Sequence, residues 1–320
     1  MQKAKMLRLM EIFRQETDAE HPLTTNGICK RLLDFDITCD RKTLARDIAQ
    51  LNEMGFHVVT VRCGHSNAYY VEQREFSRGE IKILMDAVQA AACIPEEQTA
   101  LLIEKLADLG GSHRADILKG NLVQFNIKKH TNTSIFENVE TIESALQEQV
   151  KIAFLYFRHD EYGNRVYRHG GETYVVEPIS LIYDNDNYYL MCYNPARGEK
   201  RNYRIDRMEQ VRIVDELISD AALISAQELA SYTSKTFRMY GGDEVNAAIE
   251  FDDSLIDVVF DQFGKDVKML RLDENRLIAH VKIQVSRTFW GWLFQFPDQM
   301  RIISPPKLAE ECRAWANQVL

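Results

Sequence analysis

Residues 174–213 constrain the fold of this chain more than any other stretch. Runs rich in apolar and aromatic residues occupy 174–183, 188–193 and 201–213. Asn and Asp tolerate the left-handed backbone of tight turns, so Asp184–Asn187 predicts a turn between the first two runs, and Asn194–Gly198 predicts another before the third. The second and third runs carry tyrosine and arginine side chains. The pattern therefore predicts three short strands whose sheet offers stacking surfaces and guanidinium groups for anions.

This stretch resembles the WYL domain, a small Sm-like β-barrel of bacterial transcription regulators. Tyr-Tyr-Leu at 188–190 takes the place of the naming tripeptide Trp-Tyr-Leu. Arg201–Met208 matches the second signature, Arg-x-Phe-Arg-Leu-Asp-Arg-Ile, with substitutions that keep size and character. Pro178 and Leu181 match the residues that usually precede the tripeptide. The resemblance implies a WYL domain over residues 137–216.

The charge of the chain is unevenly distributed. The whole chain has a formal net charge of −9. Residues 1–63 contain ten Lys and Arg against nine Asp and Glu, which gives +1 and leaves −10 for residues 64–320. An acidic body with a near-neutral head fits a protein that touches DNA through one small module.

Residues 1–73 predict three helices followed by a β-hairpin. A helix cap is expected at Thr24 or Thr25 and another at Asp40, and Gly55 ends the third helix. The apolar residues of the helices lie within 4–14, 28–33 and 44–54, and the hairpin strands are expected at 56–63 and 68–71. Three helices with a hairpin wing make a winged helix-turn-helix domain.

The third predicted helix carries the candidate DNA contacts. Asp40–Ile48 resembles the recognition helix of DeoR-type winged regulators, which reads Ser-x-Arg-Thr-x-x-Arg-Asp-Ile. With the helix N-terminus facing phosphate and one arginine on the wing, the implied DNA-binding residues are Arg41, Lys42, Thr43, Arg46 and Arg62. The alternative is a solvated helix face with Arg46 paired to a carboxylate. Acidic residues nearby repel phosphate, so each module binds modestly and a homodimer is expected.

The residues between the head and the WYL-like stretch predict a helical linker over 74–136. Its helices are expected at 77–92 and 96–108, the first with a capping box at Ser77 and Glu80. In the resembling regulators such a segment often contributes to dimerisation; the alternative is a simple packed helical hairpin. Further helices are expected at 138–149 and 225–235.

The last part of the chain predicts a second α+β module. Residues 217–243 are expected to be a linker with a turn at 237–242. Over 244–320 the predicted order is strand, helix, strand, strand, helix, strand, helix, which is ferredoxin-like. Phe289–Leu293 and Ser304–Leu308 resemble the C-terminal extension called WCX that often follows a WYL domain.

The sequence lacks the signatures of an enzyme. There is no phosphate-binding glycine motif and no HExxH motif, and His159 and His169 lack Cys or carboxylate partners at metal-ligand spacing. We expect no catalysis, no cofactor and no metal. The six cysteines are scattered without a CxxC pair, and no run approaches a membrane span. These features predict a cytoplasmic protein with reduced cysteines and no membrane partner.

The WYL-like stretch carries the candidate ligand site. Its tyrosines suit stacking on bases and its arginines suit phosphates: Tyr156, Tyr188, Tyr189, Arg201, Arg204 and Arg207. The three arginines are expected on one strand. Strand parity places Tyr188 and Tyr189 on opposite faces, so both cannot line one pocket. The alternative is that the tyrosines are core and the arginines pair with Glu177, Asp206 or Glu209.

The sequence thus predicts a multidomain α+β protein. Its order is a winged helix-turn-helix, a helical linker, an Sm-like β-barrel and a ferredoxin-like C-terminal domain. The predicted function is a homodimeric, ligand-responsive transcription regulator that binds double-stranded DNA. The WYL domain is expected to sense a nucleotide, a cyclic dinucleotide or single-stranded nucleic acid and to bias the spacing of the heads. The alternative is a WYL accessory protein that binds single-stranded nucleic acid or a partner complex without operator specificity.

Overall fold

The computed structural model describes residues 2–72, 74–122, 127–235 and 242–319. The turn expected at 237–242 lies, apart from Gly242, outside the described residues. The chain divides into two units, Met1–Thr133 and Ser134–Leu320. Across the described ranges, the helices are all too short or too polar to cross a membrane.

Unit 1 begins with helices and a small antiparallel sheet and continues as helices only. Its elements are α1 (Gln2–Glu16), β1 (Leu23–Thr24), α2 (Thr25–Leu33), α3 (Arg41–Glu53), β2 (Val58–Cys63), β3 (Ser66–Val71), α4 (Arg78–Ala90), α5 (Glu96–Asp108) and α6 (Ser112–Gly120). The strand order is β1-β3-β2, with β2 and β3 forming the hairpin. The predicted helices and hairpin are confirmed, whereas β1 and α6 were not predicted.

One apolar core joins the first three helices to the hairpin. Leu9 and Phe13 of α1 pack with Leu44 of α3 and with Val71 of β3. Beside this core, the Lys5 ammonium of α1 lies 2.5 Å from a carboxylate oxygen of Asp47 on α3, and both side chains are almost fully buried. Burial alone lowers the pKa of Lys5, but hydrogen bonds with Asp47 and Cys39 raise it above its ordinary value. The ion pair therefore fixes α3 against α1.

Unit 2 opens with a helix and a curled sheet. These elements are α7 (Ile135–Glu148), β4 (Val150–His159), β5 (Arg165–Tyr167), β6 (Tyr174–Asp184), β7 (Asn187–Asn194), β8 (Glu199–Arg204) and β9 (Met208–Leu217). The sheet runs β5-β4-β6-β7-β8, and β9 pairs with β4. All pairings are antiparallel.

The curled sheet corrects two expectations. The run 201–213 is not one strand, because Ile205–Arg207 form a 3-10 turn between β8 and β9. The chain leaves the β8 edge at this turn and returns beside β4, so β8 and β9 do not pair within the described sheet. The result is a curled half-barrel in the region where we expected an Sm-like β-barrel. The prediction that Arg201, Arg204 and Arg207 share a strand is therefore wrong.

The remainder of unit 2 is a four-stranded antiparallel sheet with helices. Its elements are α8 (Ala226–Lys235), β10 (Asp243–Asp252), α9 (Ile256–Phe263), β11 (Lys268–Arg271), β12 (Arg276–Val285), α10 (Arg287–Leu293), β13 (Met300–Ser304) and α11 (Pro306–Val319). The strand order is β11-β12-β10-β13, so β12 lies between β10 and β11. Phe251, Phe289 and Trp290 are buried in its core.

Candidate functional site

The N-terminus of α3 is closed by its own cap. The Asp40 carboxylate accepts hydrogen bonds from the backbone N–H groups of Lys42 and Thr43, both at 2.9 Å. The Thr43 hydroxyl donates to the same carboxylate at 2.9 Å. The bonds from Thr43 lower the pKa of Asp40 first, and the Lys42 N–H adds to the effect. The first-turn N–H groups of Lys42 and Thr43 are therefore occupied, contrary to our expectation that they face phosphate.

The exposed surface of α3 instead offers cationic side chains. Arg41, Lys42 and Arg46 are exposed, and Thr43 is half-buried. Arg62 is exposed on β2, opposite Asn67 of the hairpin. Within the described ranges, none of these four cations forms an ion pair, so the expected alternative of an Arg46–carboxylate pair is not present. The cations are thus available to an external polyanion.

A cavity of about 700 Å³ opens at the β8 side of the half-barrel. This volume falls within the range of small-molecule sites. The cavity is lined by Tyr156, Arg168, Tyr189, Glu199, Lys200, Arg201, Asn202, Tyr203, Arg204, Arg207, Tyr232, Gly242 and Gln284. We call it the β8 cavity. It contains five cationic side chains and one acidic side chain, although the chain as a whole is acidic.

Tyrosine rings form the inner wall of the β8 cavity. The rings of Tyr156 and Tyr203 meet edge to face with centroids 5.1 Å apart, and Phe154 packs against both from behind. The Tyr156 hydroxyl accepts the backbone N–H of Arg204 at 3.3 Å. Burial raises the pKa of Tyr156 and of Tyr203, so both phenols stay neutral near pH 7. A neutral aromatic wall suits stacking with a planar ligand.

The three predicted arginines differ in their partners. Arg204 donates to both carboxylate oxygens of the buried Asp206 at 3.0 Å, which is a two-pronged ion pair. Arg201 is hydrogen-bonded to the exposed Glu199 at 2.9 Å through its Nε. Arg207 is half-buried and, within the described ranges, has no hydrogen bond or ion pair. Arg207 is therefore the arginine of this set that is free to bind an anion.

A second unpaired cation, Arg168, was missed by the sequence reasoning. It follows β5 in a 3-10 turn, and its guanidinium lies 5.8 Å from the centre of the Tyr156 ring. Within the described ranges it has no ion pair. The sequence around Arg168 has no pattern that indicates a binding residue. Arg168 reaches the cavity because the sheet curls, which the local sequence does not report.

One predicted ligand residue lies elsewhere. Tyr188 faces Tyr183 of β6, with ring centroids 5.6 Å apart, and does not line the β8 cavity. Its neighbour Tyr189 does line it, as alternation along a strand requires. Tyr188 is therefore corrected to a residue of the β6–β7 hairpin outside the cavity.

Two further walls come from beyond the half-barrel. Tyr232 of α8 accepts a hydrogen bond from the Asn202 side-chain amide of β8 at 2.9 Å. Gln284 of β12 lines the cavity from the four-stranded sheet. A ligand in the β8 cavity would thus contact three parts of unit 2. Among the described residues there is no group of three or more His, Cys, Asp or Glu side chains placed to hold a metal ion.

Comparison with known proteins supports one of the domains predicted from the sequence, the WYL domain. Residues 137–213 match the model of the family described as "WYL domain". No curated protein matches the chain. Among solved structures, the chain is similar to one described as Proteasome accessory factor B/C (PafBC) of Arthrobacter aurescens, at 16% sequence identity and a TM-score of 0.30. That match covers 98% of this chain and 48% of the other, so the chain spans about half the length of that structure.

The match to the family model identifies residues 137–213 as a WYL domain. It confirms the resemblance seen at 188–190 and Arg201–Met208. The half-barrel and the larger part of the β8 cavity wall belong to this domain.

Proposed function

We propose that the protein is a transcription regulator whose unit 1 binds double-stranded DNA and whose WYL domain binds an anionic, nucleotide-like ligand. The observation that carries this proposal is the β8 cavity, where Arg168 and Arg207, which form no ion pair in the described part of the chain, line the same cavity as the neutral Tyr156 and Tyr203 on an acidic chain. A ligand with both a planar base and a phosphate fits this combination. We propose no catalytic role for the cavity; in this proposal it binds its ligand through stacking and charge.

In the proposed regulator, residues 1–73 are a winged helix-turn-helix. The order of α1, α2, α3 and the β2–β3 hairpin supports this proposal. So do the exposed, unpaired cations on α3 and on the hairpin. In such domains the side chains of the second helix of the motif contact base edges in the major groove, and the wing reaches the backbone or minor groove. The expected contacts are Arg41, Lys42, Arg46 and Arg62.

The DNA-binding proposal is tested by titrating DNA from the region upstream of the gene. The double substitution Arg41→Ala and Arg46→Ala is expected to weaken DNA binding. The expected loss is about 1–3 kcal/mol for each of these two side chains that contacts a base. The matched control removes the same charge elsewhere in unit 1, with Lys105→Ala and Lys128→Ala; both lysines are exposed and unpaired in the described part of the chain. Equal titration curves for the two double variants would exclude α3 as the DNA contact.

The ligand proposal is tested by thermal unfolding with three classes of probe: a nucleoside monophosphate, a cyclic dinucleotide and a short single-stranded oligonucleotide. A ligand at a hundredfold excess over its Kd stabilises the folded state by about 2.7 kcal/mol. Arg207→Ala and Arg168→Ala are each expected to abolish the shift, since neither cation is paired with a carboxylate within the described part of the chain. Arg212→Ala, which removes an exposed arginine of β9 outside the cavity, should keep it. No shift with any probe would reject the ligand class.

The rest of the proposed architecture concerns the C-terminal part and the assembly. The order β10-α9-β11-β12-α10-β13 with the sheet order β11-β12-β10-β13 supports a ferredoxin-like domain of the WCX type. Exposed apolar residues on α4 and α5, such as Ile83 and Leu101, support the proposal that two chains associate. Light scattering of the full chain in solution tests the dimer, and a monomer at micromolar concentration would overturn it.

A further inference from the structure

A second cavity of unit 2 is formed by residues of β10, β12, α10 and α11 and has a volume of about 710 Å³. We call it the α11 cavity. Its volume falls within the range of small-molecule sites. It shares no lining residue with the β8 cavity, and all of its lining residues follow the stretch that matches the WYL family. The α11 cavity is therefore a separate site, to which neither the family match nor the proposed function assigns a role.

The α11 cavity has an apolar part that contains two indole rings. Trp290 and Leu308 belong to the buried core around the four-stranded sheet. Val245, Val285 and Trp315 are half-buried and pack against that core. Trp290 lies on α10 and Trp315 on α11, so two helices bring an indole ring to one cavity. Indole rings provide large, rigid apolar surfaces, so this part of the cavity suits an aromatic or large aliphatic group.

Four charged side chains also line the α11 cavity: Asp243, Arg287, Lys307 and Glu311. Lys307 and Glu311 form an ion pair along α11, with Nζ and a carboxylate oxygen 3.9 Å apart. The side chains of Asp243 and Arg287 are exposed and form no hydrogen bond or ion pair in the part of the chain that the structure describes. One carboxylate and one guanidinium of the same cavity are thus both open to a charge on a ligand.

The charges of the lining favour a ligand without net charge. Two acidic and two basic side chains balance here, whereas the β8 cavity contains five cations and one acid. An anion in the α11 cavity would be attracted by Arg287 and repelled by Asp243, and a cation would meet the reverse. A zwitterion satisfies both, with an ammonium at Asp243 and a carboxylate that the Arg287 guanidinium binds through two parallel hydrogen bonds.

We propose that the α11 cavity binds a free α-amino acid with an aromatic or large aliphatic side chain. The ammonium group lies at Asp243, the carboxylate lies at Arg287, and the side chain packs against Trp290 and Trp315. This combination of an apolar lining with a few polar groups that fix orientation is typical of small-molecule sites. The proposal does not depend on DNA binding by unit 1 or on the ligand of the β8 cavity.

The tryptophans provide the assay for the full chain. Its three tryptophans are Trp290, Trp292 and Trp315, and two of them line the α11 cavity. Titration with L-phenylalanine, at an excitation wavelength that phenylalanine does not absorb, should change the tryptophan emission. The change should saturate below about 10 mM, as a Kd of about 1 mM or lower requires. Isothermal calorimetry of the same samples detects binding that leaves the emission unchanged.

The chemical class is tested with ligands that each lack one group of phenylalanine. Phenethylamine lacks the carboxylate and 3-phenylpropionate lacks the ammonium, so each loses one charged contact and should bind at least about tenfold more weakly. L-leucine keeps both charges and an apolar side chain and should bind. Glycine keeps the charges without a side chain and should show no saturable binding.

Two variants connect each charge of the ligand to one residue. Arg287→Ala should weaken binding of L-phenylalanine at least about tenfold but leave binding of phenethylamine unchanged. Asp243→Ala should weaken L-phenylalanine equally but leave 3-phenylpropionate unchanged. Retained binding of the analogue also shows that each variant is folded. The matched controls Arg313→Ala and Asp298→Ala remove exposed charges outside the cavity and should keep the affinity for L-phenylalanine.

Four results would overturn the proposal. The first is no binding of L-phenylalanine or L-leucine by either fluorescence or calorimetry. The second is glycine binding as tightly as L-phenylalanine, which would leave the indole rings without a role. The third is equal affinity for L-phenylalanine and either of the two analogues, which would exclude a zwitterion. The fourth is a loss of affinity in the control variants equal to that in Arg287→Ala and Asp243→Ala, which would place the ligand elsewhere.

Discussion

Replacing Arg204 with Ala is expected to destabilise unit 2, because the buried Asp206 carboxylate would lose a two-pronged partner. The Arg204 and Asp206 side chains are 23% and 8% exposed, and their two hydrogen bonds are both 3.0 Å long. Breaking a hydrogen-bonded ion pair at such a site costs about 3 kcal/mol. For a unit of roughly this size, each kcal/mol lowers Tm by about 2–4 °C, so the expected decrease is about 6–12 °C.

The assay is thermal unfolding of the full chain without ligand, followed by circular dichroism. Arg207→Ala serves as the matched variant, since Arg207 lies close by in the sequence but has no partner in the described structure; its Tm should stay within about 1 °C. Adding Asp206→Asn to Arg204→Ala removes the buried charge that has lost this partner and should recover part of the loss. Equal Tm values for Arg204→Ala and Arg207→Ala would refute the division into a structural and a ligand-binding arginine.

Three further predictions concern unit 1. Lys5→Met leaves the Asp47 carboxylate buried without its cation and should destabilise the unit by about 3–5 kcal/mol in urea unfolding, whereas Met at the exposed Lys3 should have little effect. Hydrogen bonds lower the pKa of Asp40 in the folded state. Its contribution to stability is therefore complete above the unfolded-state pKa of about 3.9 and is lost as the pH falls through the lower folded-state pKa. The difference in Tm between the unsubstituted protein and Asp40→Asn should be constant above about pH 5 and should shrink as the pH falls through that range. With four unpaired cations on each of two heads, the log–log dependence of DNA affinity on salt should have a slope of roughly −7, and a slope near zero would exclude DNA as the partner.

The helices of unit 1 were predictable where a local side chain fixes the end of an element. Asp40 and Thr24 both accept backbone N–H groups at helix starts, and Ser77 forms the expected capping box. In contrast, β1 has two residues and exists because β3 pairs with it, which no local pattern reports. The helix α6 begins after Gly111 without a side-chain cap, so its start gave no signal either.

The cavity was predictable only in part, for a reason that concerns topology. Tyr189 and Arg204 lie opposite each other on β7 and β8, so the sequence of one hairpin already places them together. Arg168, Tyr232 and Gln284 come from three separate elements and meet the cavity only in the folded unit. The error about the arginine strand has a similar cause, since the 3-10 turn at Ile205–Arg207 depends on where β9 finds its partner.

The walls of the β8 cavity give ligand binding a consequence beyond the half-barrel. Arg207 belongs to the WYL domain, whereas Tyr232 and Gln284 belong to α8 and β12. In the described structure, the Asn202–Tyr232 hydrogen bond at 2.9 Å links β8 to α8 next to the cavity. A ligand that contacts all of these elements stabilises the arrangement in which they meet. The size of this stabilisation equals the difference between the ligand's binding free energy for that arrangement and for the others. Phenylalanine at 232 removes the hydroxyl but keeps the ring, so Tyr232→Phe should weaken the link while leaving the arginines in place. Ligand-dependent protection of β12 amides from hydrogen exchange should then decrease, although the ligand still binds; unchanged protection would show that α8 and β12 do not respond to the cavity.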